Sequence, residues 1–120
     1  LDELLAVADY VSLHIPHTAE THNLLGAAQL AKMKKGAYLI NVARGGTVDE
    51  DALYEALVSG HLAGAALDVF TEEPPQSENL RKLIALPQVV ATPHIGAATV
   101  EAQERIGGEI VKLVQEYLAA

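Results

Sequence analysis

Ala37-Tyr-Leu-Ile-Asn-Val-Ala-Arg-Gly-Gly46 is the stretch on which the fold turns. It is a short, mostly apolar run that stops on an arginine and two glycines. A run of about six apolar residues with glycine on both sides predicts a fully buried strand. In an open α/β sheet, ligands sit outside the carboxyl ends of the strands. Arg44 belongs at that place, and Gly45 and Gly46 let the backbone turn without a Cβ clash. An arginine there can grip a carboxylate through a two-pronged hydrogen bond. The plainer reading is a solvent-facing arginine in a turn.

The neighbouring segments extend this reading. Leu1 to Ala8 has a short helical stripe, and Tyr10 to Ile15 alternates as a strand until Pro16, which cannot continue a central strand. Thr18 to Asn23 is a polar connection, and Ala27 to Met33 a second short helix. Beyond the strand, Asp49 is a good N-cap for a helix over Glu50–Ser59. Leu62 to Phe70 is another apolar run, interrupted only by Asp68. Thr71 to Glu78, rich in proline and acid, is loop. Asn79–Ala85 predicts a short helix, Pro87–Ala91 a short strand and Thr92–Gly96 a loop. A long helix from Thr99 follows, with Ile106, Ile110, Val111, Val114 and Leu118 expected on its buried face. Helices alternating with strands predict an α/β fold: a mostly parallel sheet of about four strands with helices on both faces.

Composition narrows the function. The chain has 120 residues, one domain at most. Its net charge is −8 with no basic block, which argues against nucleic acid and anionic membrane surfaces as partners. There is no cysteine, hence no disulfide framework and no thiolate chemistry. No apolar run approaches the ~20 residues of a membrane span, and no signal-peptide pattern opens the chain, so a cytoplasmic location is the expectation. His14, His17 and His22 are close in sequence, but the strand and Pro16 separate them, so no metal site is expected.

Arg44, Asp68 and His94 stand where apolar runs end, and Glu73 follows Asp68. In a parallel sheet these groups collect along one edge. An arginine, two carboxylates and a histidine suit acid–base chemistry on an anionic substrate. Each also has a plain reading: Asp68 as a tie for loop amides, Glu73 as a solvated acid, His94 as a cap for the last helix.

Three motifs in order carry a resemblance: Asn41-Val-Ala-Arg-Gly-Gly-Thr-Val-Asp49, Gly64-Ala-Ala-Leu-Asp-Val-Phe-Thr-Glu-Glu-Pro74 and Thr92-Pro-His-Ile-Gly96. Together they resemble the signatures of the NAD-dependent D-2-hydroxyacid dehydrogenases, over essentially the whole chain. The resemblance implies that Arg44 holds the substrate carboxylate and that His94 protonates the carbonyl oxygen. It pairs Glu73 with His94, an anion that favours the imidazolium. It gives Asp68 the nicotinamide end of NAD, Ile15, Pro16, Val42 and Ala43 the cofactor-site lining, and Gly96 and Ala97 the loop beyond the histidine. The Phe-Thr-Glu-Glu-Pro-Pro run leans toward phosphoglycerate dehydrogenases, making 3-phosphoglycerate the expected substrate.

The resemblance also implies a G-x-G-x-x-G loop with a ribose-binding acid, and a separate substrate domain. Neither is in this sequence. The chain therefore reads as the second half of a nucleotide-binding (Rossmann) domain, flavodoxin-like when alone. It is expected to be inactive or nearly so by itself, to bind NAD weakly or not at all, and to form a homodimer through the sheet edge that the other half would cover. A non-catalytic scaffold that keeps family residues is the alternative.

Overall fold

A computed structural model describes residues 1–119. The elements alternate: α1 (Asp2–Val7), β1 (Tyr10–Leu13), α2 (Ala27–Lys32), β2 (Tyr38–Asn41), α3 (Glu50–Val58), β3 (Gly64–Leu67), α4 (Glu78–Ile84), β4 (Val89–Ala91) and α5 (Val100–Ala119). The four strands form one sheet in the order β1-β2-β3-β4, and every pair is parallel. Each strand is shorter than its apolar run. His14 and Ile15 follow the end of β1, and Asp68 follows the end of β3.

The local signals explain the helix ends. Asp49 caps α3, its Oδ1 accepting from the Ala52 N–H at 3.0 Å. Gly36 follows α2 and the turn after it, with φ 82°. Leu53 and Leu57 of α3 are buried against the sheet, with Leu30, Leu39, Leu62, Leu67 and Leu83 in the same core.

Coverage of the sheet differs from the expectation of helices on both faces. Residues alternate along a strand, and one set is buried: Val11 and Leu13, Leu39 and Asn41, Ala65 and Leu67. The other set is less covered: Tyr10, Tyr38 and Val90 are exposed and Ile40 and Ala66 half-buried, with Tyr10 stacked on Tyr38 at a centroid distance of 5.2 Å. The cause is topological. A β-crossover-β connection in a parallel sheet is right-handed. Three successive crossovers in the same direction therefore lay α2, α3 and α4 side by side on one face.

The expected burial of α5 is also corrected. Its apolar stripe is present, yet none of its residues is buried: Ile110 is 56% and Leu118 77% exposed. The stripe has the right period, but none of the other elements packs along it. The helix projects, and the molecule measures 59 × 32 × 25 Å. Gly107 and Gly108 do not interrupt it. Among the described residues, no helix is long and apolar enough to cross a membrane.

Candidate active site

The site begins at the end of β2. Asn41 is 3% exposed and so must satisfy its amide within the protein. Its Oδ1 accepts from the Ala43 N–H at 3.1 Å, and its Nδ2 donates to the Arg44 carbonyl at 3.3 Å and to Thr47 Oγ1 at 3.2 Å. The Thr47 hydroxyl donates to the same Arg44 carbonyl at 2.7 Å. Two buried side chains thus clasp the backbone on which Arg44 sits. Gly46 takes φ 79° to complete the turn. Gly45 packs so closely on the next loop that a Cβ there would lie 1.8 Å from the Phe70 carbonyl oxygen. Both glycines are therefore required by geometry, one for its dihedral and one for its close approach.

Arg44 itself is exposed. Its Nη1 donates to the Ala43 carbonyl at 2.7 Å, and among the described residues it forms no ion pair. It borders a cleft of about 670 Å³ with Val42, Ala43, Ile15 and Pro16. The structure thus brings together four of the residues assigned to the cofactor, beside the arginine. His14 and His17 border the same cleft, so its lining is mixed polar and apolar, and Val42 is 45% exposed in it.

Asp68, Glu73 and His94 form a second cluster, after β3 and β4. Asp68 Oδ1 accepts from the Thr92 hydroxyl at 2.5 Å and from the His94 N–H at 3.2 Å. His94 has φ 51°, a conformation unfavourable for a side chain bearing a Cβ. The carboxylate of Asp68 holds it there. The plain reading of Asp68 as a tie for loop amides is thus correct in the geometric sense. Glu73 faces two ways: Oε1 accepts from the Phe70 N–H at 3.0 Å, and Oε2 lies 2.8 Å from His94 Nδ1. The Phe70 N–H first, and His94 second, hold Glu73 below the ordinary carboxylate range. Bonded at Nδ1, the imidazole keeps Nε2 for another partner. An apolar cleft of about 440 Å³, with Phe70, Pro75, Ile84 and Pro93 in its walls, adjoins the pair.

All four chemical groups follow the carboxyl ends of parallel strands, as the sheet requires. Arg44 and the Glu73–His94 pair nevertheless open on different clefts. They are joined through Gly45 resting on Phe70. Gly96 and Ala97 lie in the turn after His94, where the Ala98 N–H donates to the Ile95 carbonyl, and border neither cleft. Asn41, Thr47 and Thr92 escape sequence reasoning. A polar residue ending an apolar strand was the available signal for Asn41. Thr92 opens the third motif, but no role there follows from the residues. His17 Nε2 lies 3.2 Å from His22 Nδ1, but among the described residues no three His, Cys, Asp or Glu side chains converge as metal ligands.

Comparison with known proteins agrees with this architecture. Residues 1–96 match the family described as D-isomer specific 2-hydroxyacid dehydrogenase, NAD binding domain. A hydroxypyruvate reductase of Thermotoga maritima is 53% identical over 98% of this chain and 39% of its own length. A D-3-phosphoglycerate dehydrogenase of Bacillus subtilis is 50% identical over 97% of this chain and 22% of its own length. Among solved structures, a D-lactate dehydrogenase from Aquifex aeolicus, complexed with NAD and lactic acid, superposes with a TM-score of 0.82. It is 40% identical, over 98% of this chain and 39% of that one. The chain thus spans well under half the length of each of these relatives.

Proposed function

The chain belongs to the D-isomer specific 2-hydroxyacid dehydrogenases, within their NAD binding domain, and on that premise we propose that it carries the proton-transfer and carboxylate-anchoring groups of a reversible, NAD-linked oxidation of a 2-hydroxy acid. The observation that carries this reading is the His94 Nδ1–Glu73 Oε2 contact of 2.8 Å, at the carboxyl edge of a parallel sheet. Glu73 orients the ring and stabilises its positive charge. His94 Nε2 then gives a proton to the carbonyl oxygen during reduction and takes it back during oxidation. Arg44 anchors the substrate carboxylate by charge-assisted hydrogen bonds. Ile15, Pro16, Val42 and Ala43 line the place of the nicotinamide, and Asp68 holds the histidine loop beside it. NAD, when bound, supplies the hydride acceptor.

Similarity to the phosphoglycerate dehydrogenases supports 3-phosphoglycerate as the substrate, with hydroxypyruvate as the competitor that the Thermotoga relative suggests. In this reading the chain is the second half of the nucleotide-binding domain. Alone it lacks a glycine-rich pyrophosphate cradle and turns over at a small fraction of the rate of a full-length dehydrogenase. The experiment is an NMR titration of the chain with NADH and a panel of 2-oxo acids, alongside a turnover assay. Expected are weak shifts at Val42 and Ala43 with NADH, and at Arg44 with the acids, all lost from Arg44→Gln for the acids. No shift at millimolar ligand would overturn the binding roles; turnover like that of an intact enzyme would overturn the predicted inactivity.

A second reading, self-association, is favoured by the open sheet face at Tyr10 and Tyr38 and by the exposed apolar stripe of α5. A homodimer would cover both. A monomer by light scattering at high protein concentration defeats it.

A further inference from the structure

The sequence predicts Glu50 only as the first residue of a helix. In the structure it does more than start α3. Its Oε1 accepts from the Thr71 N–H at 2.9 Å, and its Oε2 accepts from the Thr71 hydroxyl. One carboxylate thus takes both donors of a residue in the loop after β3, a loop that is otherwise exposed. Glu50 is half-buried, where an uncompensated carboxylate is unfavourable.

The position of Thr71 gives this contact its meaning. Phe70, just before it, donates its N–H to Glu73. Glu73, two residues after it, holds the His94 ring. The Phe70 carbonyl is the surface on which Gly45 rests. The Arg44 turn and the Glu73 loop are therefore joined at two places: a backbone contact that only glycine permits, and the carboxylate of Glu50. Among the described residues, the second is the one made by a side chain.

We propose that Glu50 is a positioning residue, a clamp that fixes the loop bearing Glu73 against the turn bearing Arg44 and so sets the proton pair relative to the carboxylate anchor. The plain alternative is an acid at a helix N-terminus, stabilising through the dipole. The two differ in reach. An aspartate keeps the charge at the helix end but is one methylene too short for Thr71. A glutamine loses the charge but keeps the reach: its carbonyl accepts from the Thr71 N–H and its amide donates to the Thr71 hydroxyl. His22, Asp49 and Asp51 border the same groove and stay unchanged in all variants.

The test is NMR on the 120-residue chain, reading the Phe70 and Thr71 amide signals and the ring signals of His94. Glu73→Gln supplies the reference for a broken pair. Glu50→Ala and Glu50→Asp are expected to displace both amide signals and to shift the His94 ring signals in the direction of Glu73→Gln. Glu50→Gln is expected to restore both. Thr71→Val, which leaves α3 untouched, is expected to give a smaller displacement of the same sign. Wild-type behaviour of Glu50→Asp, or failure of Glu50→Gln to restore the signals, would overturn the clamp and assign Glu50 to the helix end. If Glu50→Ala does not fold, the aspartate, glutamine and valine variants decide alone. The catalytic meaning of the clamp rests on the acid–base reading of His94 and Glu73. The amide signals report the clamp whether or not that reading holds, whereas failure of the reading shows only in ligand binding and turnover.

Discussion

The two arms of the site are held by opposite means. The arm after β2 puts Arg44 on a backbone clasped by Asn41 and Thr47, both almost wholly inaccessible. The arm after β3 and β4 puts His94 in a left-handed conformation held by exposed or half-exposed side chains, Asp68, Thr92 and Glu73. Buried hydrogen bonds are enforced by the cost of leaving them unmade. Exposed ones compete with water and are individually weak. The first arm is a fixed platform with an exposed guanidinium; the second is an adjustable one whose shape depends on its own polar contacts.

Substitutions should expose this difference, the largest effects falling on the platform and its joint. Gly45→Ala puts a Cβ 1.8 Å from the Phe70 oxygen, and the backbone must move. We expect a loss of about 3 kcal/mol or more in denaturant unfolding; near-wild-type stability would mean the arms are not joined there. Asn41→Ala leaves the Ala43 N–H without its partner in the interior and should cost ~2–3 kcal/mol by the same measurement. Asp68→Ala should cost only about 1 kcal/mol globally, while strongly accelerating exchange of the His94 amide, which it releases. If Asp68→Ala proved as costly as Asn41→Ala, the contrast between the arms would fail.

The pH dependence separates the arms by sign. Glu73 is held below the ordinary glutamate value, so the unfolded chain takes up its proton first. Its contribution is present above that ordinary value and is lost as pH falls through the folded one. Glu50 is pushed up, by burial first and by Asp51 and Asp49 after, against the Thr71 hydrogen bonds. The folded chain therefore takes up the Glu50 proton first, and its ionisation costs stability above its own value. Acidification relieves Glu50 before it breaks Glu73, each by less than ~1 kcal/mol given their exposure. The Thr71 amide signal should thus titrate at higher pH than the Phe70 amide signal, and the reverse order would contradict both assignments. The smallest effect is expected at Arg44. Arg44→Gln should change stability by no more than about 0.5 kcal/mol, since among the described residues its side chain bonds only the adjacent Ala43 carbonyl.

Much of this was legible in the residues. Asp49 reads as a cap and is one, because capping is local: the acceptor and the Ala52 N–H are three residues apart. The apolar runs read as parallel strands, because runs alternating with helices leave little other choice. From these followed the edge on which Arg44, Asp68, Glu73 and His94 collect. The stripe on α5 was equally legible and misled, since period shows which side of a helix is apolar and not whether anything covers it. Coverage of one sheet face alone follows from the direction of successive crossovers, which no local pattern reveals.

The sequence by itself determined the order of elements, the strand ends that carry the polar groups and, through three motifs, the family. Short-range chemistry decides these: caps, turns and the alternation of apolar residues. Only the tertiary structure decided that Asn41 and Thr47 clasp Arg44, that Gly45 rests on Phe70, that Thr92 shares Asp68 with His94 and that Glu50 reaches Thr71. Those contacts join residues as many as 26 positions apart in sequence, as His94 is from Asp68. A contact of that span depends on how the strands are ordered and staggered, and a run of residues carries no record of which loop will lie beside it.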